Sequence, residues 1–361
     1  MEKINIKQMK DWGMNIQSPV IIAGPCSAES EEQVMQTAEQ LANKNVSIFR
    51  SGIWKPRTRP NTFEGVGSIG LKWLKKVKEK YGMPITVEIA NKNHVENALK
   101  EGIDILWIGA RTTVNPFAIQ EIADVLQGVD IPVMVKNPIN PDLELWIGAM
   151  ERLNKAGITK LAAIHRGFSL YGESVFRNVP KWEIPVELKR RFPNLPIICD
   201  PSHISGNREL IPSVSQKSID LDLSGLMIET HINPDEAWSD AKQQVTPTAL
   251  FDILEHLVWR NTSADNEFFK NKLDELRENI DQIDDNLVDI LGNRMKLVKQ
   301  IAQYKKENDV TILQSNRWND ILETRIEKAL GMDISEEFTA KLFQLIHQES
   351  INKQTEIMNE K

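Results

Sequence analysis

Between residues 20 and 260 the chain alternates short apolar runs with loops and helix-forming stretches. The runs are VIIAG (20–24), SIFRS (47–51), ITVEI (85–89), ILWIG (105–109), VMVKN (133–137), LAAIH (161–165), IICDP (197–201) and LMIET (226–230). They are apolar at nearly every position instead of every second one, which is how strands read when helices cover both of their faces. Eight of them joined by helical connectors predict a (β/α)8 TIM barrel, and about 240 residues is the usual span of one. An open doubly wound sheet is the competing arrangement. It would carry a glycine-rich dinucleotide turn after its first strand, where this chain reads GPCSAES.

After residue 261 the strand-like runs stop. NTSADNEFF (261–269) reads as a polar linker. Beyond it Leu273, Leu276, Ile280, Ile283, Leu287, Ile290, Leu291, Leu297, Val298 and Ile301 recur at three-to-four spacing, the mark of an amphipathic helix. The pattern predicts one helix over about 266–308, interrupted at Gly292, and two shorter ones over about 315–330 and 335–358. Gly331 is the expected C-cap of the second and Ser335 opens the third. The division is a barrel over 1–261 with a short N-terminal extension, a linker over 262–269 and an all-α three-helix domain over 270–361. A helix of about 43 residues is about 65 Å long. One chain offers little for that length to pack against, so a homodimer through this domain is expected.

Polar and ionisable residues gather where the predicted strands end: Cys26, Arg50, Glu88, Arg111, Lys136, His165 with Arg166, Asp200 with His203, and Glu229. A barrel carries its active site at that end. A single such residue is usually a structural plug, but eight strands all ending this way is hard to explain by packing. Cys26, His203 and Glu229 end strands one, seven and eight, which closure makes neighbours, and Asp240 follows on the adjoining loop. A thiolate, an imidazole and two carboxylates suit a first-row divalent ion such as Mn, Fe, Co or Zn. Taken singly, Cys26 reads more readily as a packing residue and His203 as a satisfied loop histidine. Arg50, Lys55, Arg57, Arg111, Lys136 and Arg166 also follow strands, and six cations at one mouth call for phosphate or carboxylate groups. Within FRSGIWKPRTRPN (49–61) Pro56 and Pro60 keep the cations off any helix.

Composition narrows the ligand further. The chain is 41% hydrophobic and 26% charged, with a formal net charge of -7. That is an ordinary globular composition, and the acidic balance argues against nucleic acid as a general partner. The cations therefore serve a local site. There is no signal-peptide h-region and no 18-residue apolar run, so neither secretion nor membrane insertion is expected. Two cysteines, Cys26 and Cys199, cannot build a disulfide framework, and a reducing, cytoplasmic compartment is the expectation.

The segments AGPCS, FRSGIWKPRT, GART, KNP, HRG, CDPSH and IETH with its following SD resemble, in that order, the type I, β-group 3-deoxy-D-arabino-heptulosonate 7-phosphate (DAHP) synthases over residues 20–260. The resemblance implies condensation of phosphoenolpyruvate with erythrose 4-phosphate, the first step of the shikimate pathway. It also implies a divalent metal ion held by Cys26, His203, Glu229 and Asp240. Arg111, Lys136 and Arg166 would hold the phosphate and carboxylate of phosphoenolpyruvate, with Arg50 among the substrate-binding cations and Lys55 near the reacting end. Arg57 and Thr58 would hold the aldose phosphate. The 3-deoxy-octulosonate 8-phosphate synthases, which take a five-carbon sugar phosphate, carry a KANRSS-like segment where this chain has KPRT, so the four-carbon sugar is expected. Arg59 stands where the DAHP synthase pattern commonly has serine.

LDELRENIDQID, NRMKLVKQIAQYKK, the segment around Arg317 and LFQLIHQESINKQ resemble the all-α chorismate mutases over residues 270–358. By that resemblance Arg277, Arg294, Lys305, Arg317, Ser350 and Gln354 bind substrate, with Lys305 and Gln354 donating to the ether oxygen as chorismate becomes prephenate. This rearrangement is pericyclic and needs only electrostatic help and a restrained conformer. Charges on a long helix are otherwise a solvated face, but spacing adds an argument. Arg294 and Lys305 share a face about 16 Å apart, whereas Arg277 lies about 42 Å from Lys305 and can serve the same ligand only from a second, antiparallel chain. Trp318 stands where the family usually carries a glutamate, and Gln314 where a carboxylate is also common.

The chain reads as a bifunctional shikimate-pathway enzyme. The competing reading makes the helical domain a dimerisation and regulatory module without catalysis. With 19 residues ahead of the first apolar run, the helical domain is also the expected sensor for feedback by prephenate or chorismate.

Overall fold

The computed structural model describes residues 4–42, 44–55, 62–261, 263 and 265–360. Eight parallel strands close in chain order: β1 (Val20–Gly24), β2 (Ile48–Ser51), β3 (Ile85–Ile89), β4 (Ile105–Ile108), β5 (Val133–Lys136), β6 (Leu161–His165), β7 (Ile197–Cys199) and β8 (Gly225–Glu229), with β8 pairing back onto β1. Around them run α1 (Glu31–Leu41), α2 (Ile69–Tyr81), α3 (Lys92–Lys100), α4 (Ala110–Thr113), α5 (Pro116–Leu126), α6 (Leu143–Lys155), α7 (Glu183–Arg191), α8 (Pro201–Ser205), α9 (Ile211–Asp220) and α10 (Pro247–His256). Strands and predicted runs agree within two residues, because a strand buried on both faces is marked by its apolar content alone.

Side-chain parity then decides what each strand end offers. Val20, Ile22, Ile48, Ile105, Trp107, Met134, Ala162, Ile164, Ile198 and Met227 fill the barrel interior, joined by Met9, Trp12 and Ile16 of the N-terminal extension. Their neighbours, such as Ile21, Phe49, Val87, Leu106, Val135 and Ala163, pack under the helices. Carried to the strand ends, this alternation turns Arg50, Glu88, Lys136 and Glu229 inward.

His165 has the opposite parity and enters the helical layer. The rings of Trp182, Phe168 and Trp146 surround it, with centroids at 5.1, 5.8 and 6.5 Å. Burial lowers its pKa to about 3. His165 is therefore a neutral core residue. This corrects the expectation that every strand end contributes to the mouth.

The chain forms two compact units, Met1–Thr262 and Ser263–Lys361. The second contains α11 (Glu267–Glu307), α12 (Ser315–Leu330) and α13 (Glu336–Asn359). Asn266 caps α11 by accepting the Phe269 N–H, and Ser335 caps α13 by accepting the Phe338 N–H. The expected break at Gly292 does not occur. An exposed helical glycine costs only about 1 kcal/mol, too little to interrupt so long a run of good helix formers. Gly331 does end α12, in a right-handed conformation at φ -67.

Val298 and Ala302 are buried where α11 packs on α13, while Leu276, Ile280, Ile283, Leu287, Ile290, Leu297 and Ile301 stay exposed. No described helix is long and apolar enough to cross a membrane.

Candidate functional site

The loops after β1 and β8 bring Cys26 and Asp240 to the end of β8. The Cys26 thiol sulfur and one oxygen each of Glu229 and Asp240 all lie within 4.8 Å of one another. Register places Gly24 of β1 beside Glu229. Residue 24 must be glycine, because its φ is 144 and a Cβ would lie 2.1 Å from the Arg50 carbonyl oxygen. Asp240 heads a one-turn helix, Ala241–Gln243, in the left-handed region at φ 51. That conformation costs a non-glycine residue about 1–2 kcal/mol, so its surroundings must impose it.

The Asp240 loop is in fact tied down on several sides. The Ser27 and Ser239 hydroxyls meet at 2.5 Å, and the Trp238 N–H donates to Glu29 Oε1 at 2.7 Å. The buried Gln244 side chain accepts the Cys26 N–H at 2.9 Å and donates to the Ser239 carbonyl at 2.8 Å.

Cations surround this acidic trio. Arg50 Nη1 sits 3.2 Å from Glu229 Oε1, with both side chains buried, and Arg50 Nη2 donates to the Cys26 carbonyl at 3.1 Å. Lys55 Nζ donates to Cys26 Sγ at 2.9 Å, and Arg177 Nη1 to Asp240 Oδ1 at 2.8 Å. Burial pushes the Cys26 thiol up to about 12, and the Glu229 carboxylate adds to the rise. Burial also opposes ionisation of Glu229, yet His203 and Arg50 hold it below the usual carboxylate range. Glu229 Oε1 is buried and accepts no hydrogen bond from the described residues. A thiol, two carboxylates and an orphaned oxygen in so small a space fit a divalent cation, whose binding would displace the thiol proton.

His203 stands beside the trio, outside its tightest grouping. Its Nε2 is 3.8 Å from Glu229 Oε1, and its Nδ1 is 2.8 Å from Asp200 Oδ2 in a bent approach. Asp200 is buried, accepts Lys136 Nζ at 2.8 Å and caps α8 through the His203 N–H. Burial lowers the His203 pKa, against the opposing pull of the Asp200 carboxylate. With an acceptor-only carboxylate at Nδ1, the other ring nitrogen is the one left to bind.

Trp107 floors the mouth, with the Arg50 guanidinium 4.8 Å and Lys136 Nζ 6.0 Å from its ring centroid. Arg166 donates through its N–H to Asn137 Oδ1 and through Nη1 to Asn178 Oδ1, each at 2.7 Å. Burial lowers its pKa to about 10, so it remains cationic at neutral pH. Arg111 is exposed on α4. Glu88 rests against Gly109, where a Cβ would lie 2.0 Å from its Oε1. Arg57, Thr58 and Arg59 lie outside the described residues.

Three site residues escaped the reading of strand ends: Arg177, Gln243 and Gln244. All lie on long loops. The signal available for the two glutamines was a polar pair three residues beyond Asp240.

In the helical unit, Arg294 Nη1 donates to the Ser350 hydroxyl at 2.6 Å, and Gln354 Nε2 to the Ser350 carbonyl at 3.3 Å. Gln354 Oε1 is buried without a hydrogen-bond partner among the described residues. Lys305, on the same helix as Arg294, donates to the Ile312 carbonyl at 2.6 Å. Trp318 stacks on His347 with centroids 4.1 Å apart. Arg317 is exposed on α12, and Arg277 is exposed beside Asp274. Arg294, Ser350 and Gln354 thus form one polar group, and Arg277 is not part of it.

Comparison with known proteins matches residues 4–265 to the profile of the DAHP synthetase I family and residues 276–355 to that of chorismate mutase type II. A phospho-2-dehydro-3-deoxyheptonate aldolase of Thermotoga maritima is 32% identical over 238 residues, which span 66% of this chain and 67% of that protein. The crystal structure of a DAHP synthase from the same organism superposes with a TM-score of 0.62 at 29% identity, covering 70% of this chain and 72% of the other. A 2-dehydro-3-deoxyphosphooctonate aldolase of Vesicomyosocius okutanii is 27% identical over 284 residues, covering 69% of this chain and 94% of that protein.

Proposed function

On the premise that the chain belongs to the DAHP synthetase I family and carries a chorismate mutase type II domain, we propose that the barrel condenses phosphoenolpyruvate with erythrose 4-phosphate while the helical unit converts chorismate to prephenate. The observation that carries the first half is a cationic mouth built around a thiol–carboxylate trio at the strand ends. Phosphoenolpyruvate brings a phosphate and a carboxylate, and Arg50, Arg111, Lys136 and Arg166 supply the complementary charge. Lys55 stands at the reacting end, and Arg57 with Thr58 takes the sugar phosphate.

Carbon 3 of phosphoenolpyruvate bonds to the aldehyde carbon, water adds at carbon 2 and inorganic phosphate leaves. The cations stabilise the charge that develops on the way. A divalent ion of the Mn, Fe, Co or Zn class, held by Cys26, Glu229, Asp240 and His203, supplies Lewis acidity toward the aldehyde when bound. The KPRT segment and the higher identity to the heptonate aldolase favour the four-carbon sugar. A direct comparison of erythrose 4-phosphate with arabinose 5-phosphate tests this, and faster turnover of the five-carbon sugar refutes it.

In the helical unit, Arg294, Ser350 and Gln354 grip chorismate together with Lys305 and Arg317. Lys305 and Gln354 donate to the breaking ether bond. Arg277 reaches the site from a second chain, whose antiparallel helix covers the exposed stripe of Leu276, Ile280, Ile283 and Leu287. Prephenate or chorismate bound there feeds back on the barrel. Titrating prephenate into the DAHP assay tests this, and an unchanged rate rejects it.

One observation favours a second reading. Trp318, stacked on His347, fills the place where a substrate-holding glutamate is expected, which suits a ligand sensor without turnover. A chorismate assay on the whole protein decides between them: loss at the spontaneous rate leaves only the sensor.

A further inference from the structure

Gln243 is buried in the turn that follows Asp240, with 1% of its surface exposed, and nothing in the reaction proposed above uses it. Its Nε2 donates to Glu229 Oε2 at 2.6 Å. Its Oε1 accepts from Arg177 Nη1 at 2.5 Å, and the same Nη1 donates to Asp240 Oδ1 at 2.8 Å. Both ends of the amide are therefore specified. A flipped amide would set a carbonyl oxygen against a carboxylate and an amino group against a guanidinium.

We infer that Gln243, backed by Arg177, is a positioning residue that restricts Glu229 and Asp240 to one ligating oxygen each. This rests on the metal-site reading above. The consequence for each carboxylate is visible in the contacts. With Oε2 tied to Gln243, Glu229 turns Oε1 toward the centre, where it faces Arg50 at 3.2 Å and His203 Nε2 at 3.8 Å. With Oδ1 tied to Arg177, Asp240 turns Oδ2 to the Cys26 sulfur at 3.2 Å. The inward atoms are then one sulfur and two single oxygens.

A neutral amide suits this task. It adds no positive charge to compete with a bound cation and no negative charge to repel Glu229. Arg177 is itself held by the backbone beneath it. Its N–H donates to the Ser205 carbonyl at 3.3 Å, and Gly206, at φ 72, leaves room for its stem, since a Cβ there would lie 2.4 Å from the Arg177 Cβ. The short helix that carries His203 thus also seats the arginine that holds Asp240.

The test uses the full chain freed of metal, with Mn2+ as the titrant and Co2+ as the spectroscopic probe. Gln243→Met keeps much of the shape and removes both hydrogen bonds. Expected is a fall of about 10–100-fold in Mn2+ affinity, the usual effect of losing a partner behind a metal ligand. The visible bands of the Co2+ form should also change, because Glu229 becomes free to bind through both oxygens. A merely structural glutamine would leave those bands as they are.

If Gln243→Met does not fold, Gln243→Asn carries the same expectation, since it stays polar but is one methylene too short to span both partners. Equal Mn2+ affinity and an unchanged Co2+ spectrum in a folded variant overturn the inference and leave the metal site standing. Failure of the unsubstituted chain to bind Mn2+ at all overturns the metal-site reading itself, and the inference with it.

Discussion

Replacing Arg50 by methionine gives a result that separates folding from chemistry. The Arg50–Glu229 pair is 3.2 Å long, with side-chain exposures of 1% and 0%. Removing one partner of a buried ion pair typically costs 3–5 kcal/mol, because the other charge is left behind. Here Glu229 keeps the Gln243 hydrogen bond on Oε2 and a neighbouring imidazole, which points to the lower end, about 3 kcal/mol. In EDTA the variant should therefore unfold earlier by about that amount. A divalent ion must share Glu229 with Arg50, so losing the arginine should tighten metal binding by at least about tenfold, or about 1.4 kcal/mol.

With excess Mn2+ the stability deficit should consequently shrink, while DAHP formation collapses for want of a substrate-binding cation. Urea unfolding followed by tryptophan fluorescence reports the barrel, since Trp318 is the single tryptophan of the helical unit. An unchanged midpoint in EDTA refutes the argument, and so does weaker Mn2+ binding in the variant.

Other consequences follow from the same contacts. Cys26→Ser should abolish DAHP synthesis at ambient metal and leave chorismate turnover near that of the parent, read from the two rates on one preparation. Lys305→Met should lower the chorismate rate by about 10²–10³-fold, the usual loss of one oriented donor at a developing charge, with DAHP synthesis unaltered. His165, held near 3 against an ordinary 6.5, takes up a proton on unfolding, so stability is lost as pH falls below 6.5. Between pH 7.5 and pH 5 this amounts to about 2 kcal/mol. His165→Phe should flatten that part of the urea-midpoint profile against pH, and an equal slope in both proteins would show that the buried histidine is not responsible.

The barrel was legible because its strands are apolar on both faces, and the long helix because its apolar residues keep one spacing from Leu273 to Ile301. What composition could not show was parity. Lys136 and His165 both end a strand in a polar residue, yet one faces the mouth and the other the tryptophans of the helical layer. Counting alternate residues back along β5 and β6 separates them. Gly292 misled in the opposite direction, since glycine weakens a helix without having to end it.

At the mouth, Cys26, Arg50, Lys136 and Glu229 were found because strand ends are fixed by the sheet. Arg177 and Gln243 were not, because loops bring residues together without any period. Asp240 also lies on a loop, and its place after β8 marked it as a candidate that the resemblance to a family then supported.

We propose that one chain performs two unrelated reactions at two separate sites, only one of which depends on a metal ion. The most direct test follows DAHP formation and chorismate loss on a single preparation, before and after chelation and again after adding Mn2+. Chelation should stop DAHP formation, Mn2+ should restore it, and chorismate should be consumed at one catalysed rate throughout. DAHP formation that survives complete chelation, or chorismate loss no faster than in buffer, would contradict it.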